Sequence, residues 1–419
     1  MEAIADRSDY APPSWLGGRR IALFAGAYNH ISDGVALTLN RLVEYLEGHG
    51  AEALIYAPTT NKPPAIERHA GTLVSVPSIP FPGRSDYRLT IGLSREGWAR
   101  LEAFDPDLVH IATPDYAGSQ ALKWARGRGI PVVASFHTHF AAYLEYFSSY
   151  NKLYRMDLLY NTAWRYGRWF YPQCQHIYVP SPSIADELRS KGITENLRLW
   201  VRGVDSKRFS PSWRSDAWRL KHRILPDEVV VSFVGRLVWE KGLSVFADVI
   251  DQLKAKGTPH RSMIVGDGPA RRVLEERLPE TIFTGPLAGK ELSRAYASSD
   301  VFLFPSDTET FGNVTLEAMA SGVPAVCANA AGSDLLVVSG KTGYLAPSRD
   351  VDQFTRCVSW FLEDSGCRQA MGKAARARAL RFEWSQVMAR MAGYYGEIFG
   401  VPPGPKAGAS MCMPFAATA

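Results

Sequence analysis

The stretch 300–324, DVFLFPSDTETFGNVTLEAMASGVP, decides how this chain is read. Val301 to Phe304 form a short continuous apolar run, the pattern of a strand buried on both faces. A polar loop follows from Ser306 to Thr310. From about Gly312 the sequence reads as a helix that stops at Gly322. A strand feeding a loop and then a helix start is a ready anion site. The first amides of the helix have no intrahelical acceptor, and the helix dipole favours negative charge there. Glu309 stands in the loop and Glu317 in the second turn of the helix. A carboxylate beside an anion site points to a ligand with both phosphate and hydroxyls, since carboxylates accept hydrogen bonds from sugar hydroxyls.

Working outward, the same strand-and-helix alternation fills both halves of the chain. In the first half the strands read RIALFAGAY, AEALIYAP, TLVSVPSIPF, DLVHIATP and IPVVASFHT, and the helices ALTLNRLVEYLEGHG and GSQALKWARGRG. The pattern restarts with the strand VVVSFVGRL and the helix GLSVFADVIDQLKAKG. HRSMIVGDGP, TIFTGPL, PAVCANAAG and TGYLAP continue it. Short alternating units imply an α/β fold of two doubly wound parallel sheets. Ligands on such sheets sit at the carboxyl ends of the strands. The boundary falls near 200–210, at LWVRGVDSKRFSP.

Further groups gather at predicted strand ends. Arg236 and Lys241, in FVGRLVWEKG at 233–242, follow a strand. Two cations there suit an anionic ligand such as a diphosphate; two solvated cations are the alternative. In VGDGP at 265–269, Gly266 and Gly268 allow the backbone to approach a ring or ribose closely, or simply make a tight turn. SFHTH at 135–139 ends a first-half strand with His137 and His139. HISDGV at 30–35 is a loop after the first strand, where Gly34 opens a helix and Asp33 is either an N-cap or a ligand contact. GKT at 340–342 lacks the earlier glycine of a phosphate-binding loop.

The spacing Glu309-x7-Glu317, followed by AMASGVPAV and accompanied by these motifs, resembles retaining nucleotide-sugar glycosyltransferases of the glycosyltransferase 4 family (group 1), which have the GT-B fold. The resemblance runs from Ile21 to about Phe399. It implies two Rossmann-like domains facing a central cleft: an N-terminal extension over 1–18, an acceptor-binding domain over 19–205 and a nucleotide-sugar-binding domain over 206–384. A helix over 385–400 would cross back to the first domain, before a flexible tail over 401–419. His137, Glu309, Arg236 and Lys241 would be catalytic. Gly34, Arg236, Lys241, Gly266, Gly268, Glu309, Phe311, Gly312, Asn313 and Glu317 would bind the donor, a GDP- or UDP-sugar. Arg and Lys would neutralise the diphosphate, with no metal and no other cofactor. The opening LFAGAYNHISDGVALTLNRLVEYL is most similar to bacterial members that glycosylate diacylglycerol-type lipids with mannose, glucose or sulfoquinovose. GDP-mannose is the expected donor, a UDP-sugar the alternative, and a lipid or glycolipid the expected acceptor.

Composition bounds the rest. With 419 residues and 46 % hydrophobic content, the chain suits two α/β domains. No apolar run reaches the roughly 18 residues of a membrane span, and the first residues lack the apolar core of a signal peptide. Five scattered cysteines without a CxxC pair suit a reducing cytoplasm. The net charge of +5 permits contact with an anionic membrane and does not indicate nucleic acid. The segment 140–171 is crowded with Tyr, Phe and Trp, among which stand Arg165 and Arg168. It suits a membrane interface or stacking on sugar rings; an aromatic core helix pair is the alternative. The resemblance to lipid-directed members implies peripheral association with the inner face of the cytoplasmic membrane.

Overall fold

The structure is a computed structural model. It describes residues 14–31, 34–60, 62–81, 84–136, 156–309, 311–330 and 332–401. The chain divides into two compact units. The first runs to Trp200 and resumes at Ser385; the second is Val201–Trp384.

The first unit is built on a parallel sheet of seven strands in the order β3-β2-β1-β6-β7-β8-β9. They are β1 Arg20–Phe24, β2 Glu52–Ala57, β3 Thr72–Ser75, β6 Leu108–Ile111, β7 Val132–Ser135, β8 His176–Val179 and β9 Leu197–Leu199. β4 Ser78–Phe81 and β5 Arg84–Thr90 form a separate antiparallel pair. This corrects the reading of TLVSVPSIPF as one strand. Pro77 lacks the amide a ladder needs, so the chain leaves the sheet there and restarts as a hairpin. β8 and β9 were not expected either.

The second unit carries six parallel strands in the order β12-β11-β10-β13-β14-β15. These are β10 Val230–Val234, β11 Arg261–Val265, β12 Ile282–Gly285, β13 Val301–Phe304, β14 Ala325–Ala328 and β15 Gly343–Ala346. Every residue of β10, β13 and β14 is buried, as continuous apolar strands require when helices cover both faces. The helix Leu243–Ala255 shows how they are covered. Leu243, Phe246, Val249, Ile250 and Leu253 recur at helical spacing and are buried, and Gly257 at φ +67° lets the chain turn after it.

Both sheets reverse strand order once, between β1 and β6 and between β10 and β13. An aspartate immediately before the second strand of each pair fixes the other end of the junction. Asp107 accepts from Arg20 N at 2.8 Å through its carboxylate and donates its own amide to Arg20 O. Asp300 treats Val230 in the same way, its carboxylate accepting at 2.9 Å. The buried Arg219 guanidinium adds bonds to Asp300 and to the carbonyls of Ser298 and Leu225. In the second unit β10 and β13 pair only as far as Ser232 and Phe302, so they part toward their carboxyl ends, where a doubly wound sheet opens its ligand crevice; β1 and β6 stay paired to Phe24 and Ile111.

In the first unit the C-terminal helix Trp384–Ile398 is held from within the sheet. The His110 ring on β6 is bonded to Tyr395 Oη and Ser135 Oγ, each at 2.6 Å.

Candidate active site

The loops after β10, β11, β13 and β14 pack backbone against backbone, and glycines make this possible. Gly235 N donates to Val265 O, Leu237 N to Asp267 O and Ala270 N to Leu237 O, all at about 3 Å. A Cβ on Gly266 would lie 1.9 Å from Gly235 O, and one on Gly268 would lie 2.5 Å from Leu237 O. These glycines therefore bring the β11 loop onto the loop that carries Arg236. Gly242 has φ +74°, and a Cβ there would meet Pro305 O at 2.3 Å, which seats the β10 loop on the β13 loop. A Cβ on Gly332 would lie 2.7 Å from Phe311 N, which braces the β13 loop from its other side.

Two of the expected residues meet on this platform. Lys241 Nζ donates to Glu309 Oε2 at 2.9 Å, with side chains 17 % and 21 % exposed. Thr308 Oγ1 donates to Glu240 O at 3.2 Å and ties the same two loops. Arg236 shares the platform but reaches outward: its side chain is 76 % exposed, and its guanidinium stands 4.0 Å from Glu240. The helix Asn313–Ala320 begins here with Gly312 as its N-cap, at φ +92° and with no side chain to satisfy the first amides. Asn313 is exposed at that end, whereas Phe311 is buried with its ring 6.2 Å from Phe382. Phe311 thus presents backbone rather than ring to a ligand.

Glu317 has a partner of its own. Its carboxylate accepts from Tyr296 Oη at 2.8 Å. Although it keeps a little accessible surface, burial pushes its carboxyl up to about 7, against the opposing pull of the Tyr296 hydroxyl and Arg208. The sequence reading missed Tyr296 and Arg208. Tyr296 sits in an ordinary amphipathic helix, Gly289–Ala297, and nothing in that pattern marks it.

In the first unit, Gly34 opens the helix Gly34–Gly48. Asp33, His137 and His139 lie outside the described residues, as do 140–155. The rest of the aromatic segment divides by face. Trp164, Phe170 and Tyr171 are buried, while Arg165, Arg168 and Trp169 are exposed. The four described cysteines are unpaired.

Comparison with known proteins identifies the family to which this platform and topology belong. Residues 32–208 match the glycosyltransferase family 4 model and 214–378 the model for glycosyl transferases group 1. A GDP-mannose-dependent alpha-mannosyltransferase of Mycobacterium tuberculosis is 35 % identical over 91 % of this chain and 98 % of its own. A sulfoquinovosyl transferase of Arabidopsis thaliana is 33 % identical over 89 % of this chain and 72 % of its own. Among solved structures, a sucrose-phosphate synthase from Thermosynechococcus elongatus superposes with a TM-score of 0.70 at 20 % identity, covering 91 % of this chain and 99 % of its own. The chain belongs to glycosyltransferase family 4, the group 1 glycosyltransferases, and has their GT-B fold.

Proposed function

We propose that the enzyme transfers mannose from GDP-mannose to a membrane glycolipid or lipid head group, with retention at the anomeric carbon. The bond from the anomeric carbon to the diphosphate breaks. A bond from an acceptor hydroxyl forms on the same face, and the hydroxyl proton leaves with the diphosphate. The observation that carries this reading is the joining of Lys241 and Glu309 at the strand junction, beside Arg236 and an uncapped helix start. Lys241 and Arg236 neutralise the diphosphate as it departs, so the reaction needs no metal. Glu309 receives sugar hydroxyls, and Glu317 those of the ribose.

The 35 % identity to a GDP-mannose-dependent enzyme favours GDP-mannose. The 33 % identity to a sulfoquinovosyl transferase supports a UDP-sugar, such as glucose, glucuronate or sulfoquinovose, as the second reading. The lipid acceptor rests on the likeness of the opening residues to diacylglycerol-directed members and on the outward Arg165, Arg168 and Trp169. Among the described residues no helix is long and apolar enough to cross a membrane. The proposed place of action, which follows from the lipid acceptor, is the inner face of the cytoplasmic membrane. Incubation with GDP-mannose and UDP-glucose in turn, over vesicles containing diacylglycerol and a monoglucosyl diacylglycerol, tests both halves. The expected product is an α-mannosylated lipid, identified by the one-bond carbon–proton coupling at its anomeric carbon. A β-linked product or transfer only to soluble sugars would overturn it.

A further inference from the structure

The first unit holds a cavity of about 330 Å³ that none of the donor-side residues lines. It opens at the carboxyl ends of two central strands. Pro114 and Asp115 reach it from the loop after β6, and Phe136 directly follows β7. Its far wall is aromatic. Trp164 stacks on Phe136 with centroids 6.4 Å apart and rings 17° from parallel, and Tyr171 lies 5.7 Å from Phe136.

Asp115 and Tyr166 in this wall are already engaged. Asp115 is the only charged side chain among the described lining residues. It caps the helix Tyr116–Gly127 by accepting from Gly118 N at 3.0 Å, and Thr90 also bonds to it. Tyr166 bonds to Ser119. A sugar or a nucleobase needs several convergent, unspent donors and acceptors to be held. This cavity instead presents ring faces and aliphatic carbon, which suits a chain of methylenes.

The rim has the same character. Tyr116, at the mouth, is 59 % exposed, and Ile91, next to the lining Thr90, is 55 % exposed. Ile79 is 50 % exposed and pairs with the lining residue Leu89 across the β4–β5 hairpin. A lone exposed isoleucine needs no explanation, but large apolar side chains grouped around an apolar cavity mark a binding surface.

We propose that this cavity takes the alkyl chain of the lipid acceptor, which enters from the membrane surface past Tyr116, Ile79 and Ile91. The inference rests on the lipid-acceptor reading above and adds where the chain goes. Seating the chain beside β6 and β7 leaves the head group at the edge of the sheet where doubly wound folds hold their ligands. The donor is then bound by one unit, and the acceptor's apolar end is selected by the other.

The test uses octyl, nonyl and decyl glucosides, each below its micelle concentration, titrated calorimetrically into the full-length protein without donor. Each added methylene should tighten binding about fourfold, the factor equivalent to about 0.8 kcal/mol. Ala163→Trp, which fills the cavity, should abolish the dependence on chain length while leaving GDP-mannose binding unchanged. Gly167→Leu serves if that variant does not fold, because a Cβ on Gly167 meets only ordinary contacts, the nearest at 3.7 Å. Affinity independent of chain length in the natural protein, or an unchanged dependence in a folded filled variant, would overturn the proposal. Alkyl binding by a protein that mannosylates no lipid would defeat the lipid-acceptor reading while leaving the cavity's preference intact. Transfer to lipid with no chain-length response would do the reverse.

Discussion

Lys241 and Glu309 form a direct ion pair, Nζ to Oε2 at 2.9 Å, between the loops that follow β10 and β13. The two residues are 68 apart in sequence and meet because Gly242 lets its loop press on Pro305. The pair holds a cation and an acceptor oriented before substrate arrives, which is the condition for electrostatic preorganisation.

Lys241→Ala should lower kcat by about 10²- to 10³-fold with the fold intact, the usual effect of removing one preorganised charge. Glu309→Ala should also lower kcat. Because the two side chains touch, their effects on stability should not add, with a coupling of about 0.5–3 kcal/mol in a double-mutant cycle. Denaturant titration of the two single variants and the double variant measures it. Strict additivity would mean that the pair does not exist in solution.

Glu317 should give the second unit a pH-dependent stability. Its folded value of about 7 lies above its ordinary value of 4.5. Between those limits the unfolded chain ionises while the folded one keeps its proton. Stability therefore falls as pH rises through this window, by roughly 3 kcal/mol at most. Glu317→Gln, which retains an acceptor for Tyr296, should remove that slope and unfold at higher denaturant than the natural protein at pH 8. Equal slopes in both proteins would refute the burial of the carboxyl. If Glu317 also holds the ribose, the substitution should raise KM for the donor more than it lowers kcat.

His110 acts in the opposite sense in the first unit. Burial pushes its ring down to about 3 from 6.5. The unfolded chain takes up the proton as pH falls below 6.5 and the folded one does not, so stability is lost as pH falls from there toward 3. His110→Gln should flatten this acid limb, although it lowers stability at pH 7 by disturbing Tyr395 and Ser135. Hydrogen exchange in Trp384–Ile398, followed from pH 7 to pH 5, reads the effect. Protection in the natural helix that stays constant over that range would contradict it.

Gly266→Ala should destabilise the second unit by about 2 kcal/mol or more, because the added carbon would stand 1.9 Å from Gly235 O and the backbone has φ +141°. A variant with unchanged midpoint in denaturant would show that the β10 and β11 loops are not packed as described. If Arg236 and Lys241 supply the positive charge as proposed, activity should also survive chelation by EDTA. Loss on chelation, restored by manganese or magnesium, would contradict that assignment.

Continuous apolar strands made much of this legible in the sequence. Val301 to Phe304 could be read as buried because every residue is apolar, and the loop and helix after it followed from Gly312 and Gly322. The β4–β5 hairpin was hidden because TLVSVPSIPF reads as one largely apolar run in which only its prolines mark the break. Periodicity could place Glu317 on a helix but could not show that Tyr296 and Arg208 surround it, since those contacts cross from other elements. Nor could the sequence separate the two faces of the aromatic segment: Trp164 and Phe170 pack inward and Trp169 faces out, only one residue from Phe170.

The most direct measurement is thermal stability against a titration of GDP-mannose, with UDP-glucose in parallel. At 100 times Kd the bound donor should stabilise the fold by about 2.7 kcal/mol. GDP-mannose should reach this at lower concentration than UDP-glucose, and Lys241→Ala should weaken both. A protein stabilised by neither nucleotide sugar, or a Lys241→Ala variant that binds GDP-mannose as well as the natural protein does, would contradict the assignment of the β10–β13 junction as the donor site.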